Sequence, residues 1–135
     1  MRNRTRILGV GCIFTVLVTS LAFAVLLTDS AGPTIYEIDI LPVTPAAGDT
    51  IYVMIYCIDS SGVSGALLRS SLNDMQWVEQ EMEFYACLCI AGGRWVGALG
   101  PVQSGDVVRF YATAFDSSAT RNTAETQTYT VQIDE

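Results

Sequence analysis

The sequence predicts an all-β fold, an antiparallel sandwich of seven to eight strands, preceded by one transmembrane helix. Three observations carry this. The mean hydropathy of +0.37 is unevenly spread, because one apolar block, Ile7 to Leu27, holds most of it. The remainder is a succession of β-rich runs separated by Gly, Pro, Asp and Ser clusters. Finally, no stretch after residue 28 has a 3.6-residue apolar period, so crossover helices and a parallel α/β sheet are excluded.

The N-terminal elements come first. Residues 1–6 form a basic leader carrying Arg2, Arg4 and Arg6, and residues 7–27 form the apolar run. At ~1.5 Å per residue a helix of that length spans about 31 Å, the thickness of a bilayer hydrocarbon core. Arginines before it and acids after it orient the domain to the outside. The expected location is the cell membrane, crossed once, with the membrane held as a partner through this helix. Ala22-Phe23-Ala24 offers the competing reading of a cleavable signal, which would make the protein secreted. Cleavage there would leave Val25-Leu26-Leu27 exposed, which favours a retained signal anchor. A third reading is a pilin-like leader processed near Gly9. Gly11, Thr15 and Thr19 make a small-residue stripe of the kind that packs helices in lipid.

Residues 28–33 are a linker of turn formers, and residues 34–135 form the extracytoplasmic domain. Thr34 to Leu41 is the first run, closed by Pro42 and Pro45. Thr50 to Ile58 is the second, turned by Asp59-Ser60-Ser61-Gly62, and Val63 to Leu72 is the third. Gln76 to Glu83 and Phe84 to Ile90 supply one or two more before Ala91-Gly92-Gly93. Arg94 to Leu99 ends at Gly100-Pro101. Val107 to Phe115 and Thr126 to Ile133 complete the set. Spacing of ~8–12 residues is that of a sandwich. In the second run, Ile51, Val53, Ile55 and Cys57 should face the core, opposed by Val108, Phe110, Ala112 and Ala114.

Several turn-and-strand signatures follow one another in order. They are Gly48-Asp49-Thr50-Ile51-Tyr52-Val53, Asp59-Ser60-Ser61-Gly62-Val63, Trp77 with Met82, Trp95 to Pro101, and Gly105-Asp106-Val107 through Phe115-Asp116. Together they resemble the immunoglobulin-like, fibronectin type III-like modules of bacterial and archaeal cell-surface proteins, over nearly all of residues 33 to 133. The resemblance implies an immunoglobulin-like sandwich serving as a spacer, an adhesive unit or an enzyme appendage. The family often closes its last hairpin with Asp-x-x-Gly-Asn. Here Asp116 is followed by Ser117-Ser118-Ala119-Thr120-Arg121-Asn122, without the glycine.

Composition excludes much chemistry. The chain has no histidine and no lysine, and all 14 acidic residues follow the apolar block. Ser-His-Asp and Cys-His pairs, histidine-bearing zinc sites, Schiff-base lysines and P-loops are therefore absent. With only Arg69, Arg94, Arg109 and Arg121 as cations, the domain repels phosphate backbones, and nucleic acid is excluded as a partner. No residue set forms a catalytic constellation, so the expectation is a protein that is not an enzyme.

Four groups of residues remain as candidates for function. Asp59 and Asp116 each end a strand at one end of the sandwich. With Asp49 or Asp106 nearby they would make an oxygen-ligand calcium site. The alternative is that each caps its own turn, leaving the protein without a cofactor. Three cysteines lie outside the apolar block, an odd number. Cys57 with Cys87 or Cys89 is the candidate disulfide, against buried thiols acting as small apolar groups. Trp77 and Trp95 are either sugar-stacking platforms or core aromatics. Lastly Tyr52, Met54, Tyr56 and Ile58 point away from the core. They form an apolar outer face that Leu88 and Ile90 extend, the mark of a protein partner or of self-association.

These readings favour a non-catalytic binding or structural module of the cell envelope. The alternatives are a carbohydrate-binding or calcium-dependent adhesion module, and a pilin-like filament subunit.

Overall fold

The computed structural model of the chain describes residues 29–88 and 90–134. The expected leader, membrane span and Cys89 lie outside them. Nine strands are found among the described residues. They are β1 (Thr34–Leu41), β2 (Ile51–Ile58), β3 (Val63–Leu72), β4 (Val78–Glu81), β5 (Glu83–Tyr85), β6 (Arg94–Leu99), β7 (Val107–Asp116), β8 (Thr123–Glu125) and β9 (Tyr129–Gln132). The count exceeds seven to eight because a short strand, β8, forms before the expected last run of Thr126 to Ile133, which itself pairs only as β9. Thr126 breaks the ladder: its hydroxyl accepts the Ala112 N–H at 3.0 Å and donates to the Gln127 carbonyl at 2.9 Å.

All pairings are antiparallel, in two sheets. The first has the order β1-β2-β6-β5, and the second β4-β3-β7-β8 with β9 also on β7. The chain therefore lays down strands in successive pairs, β1 and β2 in the first sheet, β3 and β4 in the second, β5 and β6 back in the first and β7 onward in the second, the order that the A-B-E-D and C′-C-F-G sheets of immunoglobulin-type sandwiches also have. Residues Ala31–Glu135 form one compact unit.

The period-2 pattern of β2 decides what lies between the sheets. Ile51, Val53, Ile55 and Cys57 are fully buried and pack with Ala66 and Leu68 of β3 and Val108, Phe110, Ala112 and Ala114 of β7. Tyr129 of β9 stacks on Phe110 with centroids 5.7 Å apart. Gly97 of β6 lets the sheets close, since a Cβ there would lie 2.6 Å from Leu68 Cδ2.

Turn chemistry explains the strand ends. Asn73 and Asp74 both take positive φ between β3 and β4, the conformation of a type I′ hairpin turn, which asparagine and aspartate tolerate. Asn73 ties this turn to β7, its side-chain oxygen accepting the Val107 N–H at 2.8 Å. In the β7–β8 loop Arg121 occupies φ 49°, immediately before Asn122, where the surface-module pattern carries glycine. A left-handed conformation costs a non-glycine residue about 1–2 kcal/mol.

Candidate functional site

The structure brings Asp59 and Asp116 together. Their carboxylate oxygens lie within 4.8 Å of each other. Each nevertheless serves its own loop. Asp59 Oδ1 accepts the Ser61 N–H and the Ser61 hydroxyl, both at 2.7 Å. Asp116 Oδ1 accepts the Ser118 hydroxyl at 2.8 Å and the Ser118 N–H at 3.2 Å, while Oδ2 accepts the Asn122 amide at 2.8 Å. Asp116 is 1% exposed, and that burial pushes its carboxyl up. The Ser118 and Asn122 donors outweigh it and hold the group below the usual carboxylate range. Both Asp116 oxygens face donor hydrogens, which is the geometry of a turn cap.

Asp49 and Asp106 do not join this pair. They precede β2 and β7 whereas Asp59 and Asp116 follow or end the same strands, so ten extended residues, roughly 30 Å, separate them. They cap other turns: Asp49 Oδ2 accepts the Ala46 N–H at 2.8 Å, and Asp106 Oδ2 the Gln103 N–H at 2.7 Å.

The cysteines also separate. Cys57 is a free, buried thiol, so of the two readings the candidate Cys57 bridge is not formed. Burial pushes the thiol up to about 11, and it packs as a small apolar group. Cys87 is in a disulfide whose partner is not among the described residues.

The outer face of the first sheet is half covered. Tyr52 and Ile58 are exposed, but Met54 and Tyr56 are buried, contrary to the alternation. Cross-strand neighbours account for this. Met54 sits between Asp39 and Val96 in register, and Tyr56 between Glu37 and Arg94. The Tyr56 hydroxyl donates to Asp39 at 2.9 Å, and the Tyr36 ring lies 6.3 Å away. The Asp39 hydrogen bond, with burial, raises the Tyr56 pKa above its ordinary value. The open remainder is Tyr52 with its cross-strand neighbour Leu41, together with Ile58 and the exposed Leu88.

The two tryptophans part company. Trp95 faces inward from β6, 9% exposed, 5.0 Å from the Phe84 ring, with its indole N–H buried and unpartnered. Trp77 stands just before β4 on the outer face of the second sheet, 44% exposed, its ring 5.4 Å from Tyr111 and tilted by 60°. Beside it, Arg69 donates from Nε to Glu79 at 2.7 Å and from a terminal nitrogen to the Tyr111 hydroxyl at 3.2 Å. Glu125 lies 4.0 Å from the same guanidinium. Arg109 pairs with Asp74 at 2.7 Å. An indole thus projects above a lattice of hydrogen-bonding side chains already held in place. Sequence reasoning favoured the core for both tryptophans, which holds for Trp95 and fails for Trp77, because only the strand register settles which side of the sheet Trp77 takes.

No family model matches the sequence, and no curated protein matches it. Among solved structures the chain is similar to the bromine derivative of BhCBM56, a carbohydrate-binding module, with TM-score 0.53 and 15% identity over 76% of this chain and 99% of that one. The likeness is one of fold: a β-sandwich of two antiparallel sheets.

Proposed function

We propose that the chain is a non-catalytic, extracytoplasmic binding module of the cell envelope, anchored by residues 7–27, whose ligand is a carbohydrate. The observation that carries this reading is Trp77. An exposed indole presents a flat apolar face to the C–H face of a sugar ring. Glu79, Arg69, Tyr111 and Glu125 around it offer donors and acceptors to the ring's hydroxyls. Those side chains are fixed by each other, so little ordering entropy is lost on binding. The β-sandwich neighbour with a carbohydrate-binding name is consistent with this reading.

Titration calorimetry tests it. The full chain should bind at least one hexasaccharide of β-1,4-glucose, β-1,3-glucose or β-1,4-N-acetylglucosamine, and Trp77→Ala should weaken that binding at least about tenfold. Binding that is unchanged in Trp77→Ala would overturn the platform. For the anchor, protease added outside intact cells should digest the domain, and recovery of a soluble chain beginning near Val25 would overturn it.

The second reading is contact with a protein or with a second copy of the chain through Tyr52. It is favoured by the exposed Tyr52–Leu41 pair on the first sheet.

A further inference from the structure

Strand β4 stops at Glu81, whereas its partner β3 continues back to Val63. The first residues of β3 therefore have no neighbour on that side, and a notch of about 190 Å³ opens there. Its walls are Gly65, Glu81, Trp95, Phe115 and Arg121 among others. Gly65 is central to its shape. It sits inside a strand, its φ is not in the left-handed region, and a Cβ there would meet nothing within 4 Å. The register between β3 and β7 also shifts between Val63 and Gly65, a bulge of the kind that strand glycines mark, and it leaves this side of the backbone uncovered.

Two charged groups flank the opening. The Arg121 guanidinium lies 4.5 Å from the Phe115 ring centroid, on a backbone held at φ 49°. Neither Arg121 nor Glu81 has an ion-pair partner among the described residues. A residue kept in an unfavourable conformation that makes no salt bridge points towards function more than towards stability. Glu79 and Glu81 are outward residues of β4, and Trp77 precedes them on the same face. Trp77 and Glu81 are thus separated by four extended residues, about 13 Å. The notch and the indole platform are two ends of one surface.

We propose that the notch is a second subsite, taking one sugar ring of a glycan whose other rings cross Trp77. Its volume corresponds to roughly six waters and falls below that of a pocket for a drug-sized ligand, so it accommodates a single ring. One carboxylate and one guanidinium, with aromatic walls, suit a neutral polyhydroxylated ring better than an ion of either sign. The inference rests on the carbohydrate reading of Trp77 and adds an end-point to it.

The test uses the full chain with the three hexasaccharides named above and the corresponding disaccharides. Gly65→Val places a branched side chain in the notch, where a Cβ meets nothing within 4 Å. Arg121→Gly removes the guanidinium and relieves the left-handed conformation. Both variants should weaken the best hexasaccharide about tenfold and leave disaccharide binding unchanged. The melting temperature of Arg121→Gly should hold or rise, which a merely structural role for Arg121 would not allow. Parent-like hexasaccharide binding in both variants, with loss in Trp77→Ala, would overturn the notch and leave the platform standing. Loss in the notch variants with none in Trp77→Ala would overturn the platform. Failure of the parent to bind any of these saccharides would overturn both.

Discussion

The two outer faces of this sandwich are built from similar side chains to different ends. On the first sheet, aromatic hydroxyls consume the acids: Tyr56 bonds Asp39, and Tyr85 bonds Glu83 at 2.8 Å. What stays open there is Tyr52 with aliphatic neighbours. On the second sheet the acids and arginines consume one another, through Glu79–Arg69 and Asp74–Arg109, and an indole is left standing clear. The difference teaches that exposed apolar area alone does not identify a binding face. What surrounds the aromatic ring decides whether the surface suits a sugar, which needs hydrogen-bonding neighbours, or another protein, which needs contiguous apolar area.

The shared core is where both faces are broken at once. Phe110→Ala should cost about 3–5 kcal/mol in chemical denaturation, because the ring is fully buried between the sheets and stacked on Tyr129. Gly97→Ala should cost about 1–3 kcal/mol, because its Cβ would press on Leu68 and force the sheets apart. A loss near zero in Phe110→Ala would mean that the two faces do not rest on a common core.

Contrasting surface variants sharpen the comparison. Trp77→Ala should reduce saccharide affinity on the order of tenfold to a hundredfold while shifting stability little. Tyr52→Ser should leave saccharide affinity unchanged and alter stability by about 0.5 kcal/mol or less. Calorimetric titration and thermal melting of the same samples read both effects, and a reversed pattern would transfer the binding face to the first sheet.

The smallest effect lies at the loop end that both sheets share. The folded Asp116 carboxyl titrates below its unfolded value of 3.8. Its contribution is therefore present above that value and is lost as pH falls through the folded one. Melting temperature of the parent should drop across this acid window, and Asp116→Asn should flatten the drop. An equal acid dependence in both proteins would place the titrating group elsewhere.

Much of the frame was legible in the residues. Alternation in Ile51–Cys57 picked out the core residues Ile51, Val53, Ile55 and Cys57, and Asp59-Ser60-Ser61-Gly62 announced its turn through a short side chain bonding its own backbone. Local pattern reached its limit wherever the answer lay across strands. Met54 and Tyr56 have the parity of exposed residues, yet Asp39, Val96, Tyr36 and Arg94 cover them from neighbouring strands. Asp49 and Asp106 looked like companions of Asp59 and Asp116, but strand direction puts them at the opposite end. Trp77 and Trp95 have equal hydropathy, and only pairing register sends one out and one in. The position of Arg121, at a left-handed site beside a notch, depends on a loop that departs from the surface-module pattern, so the pattern gave no guide to it.

The central claim is that the second sheet carries the binding face, and oxidative footprinting of the full chain with and without a saturating bound hexasaccharide tests it most directly. Trp77 and Tyr111 form the platform, and Tyr52 and Leu41 mark the other face, so one experiment reads both. Protection of Trp77 and Tyr111 with unchanged labelling of Tyr52 and Leu41 is the predicted result. Protection of Tyr52 and Leu41 with Trp77 unprotected would contradict the account.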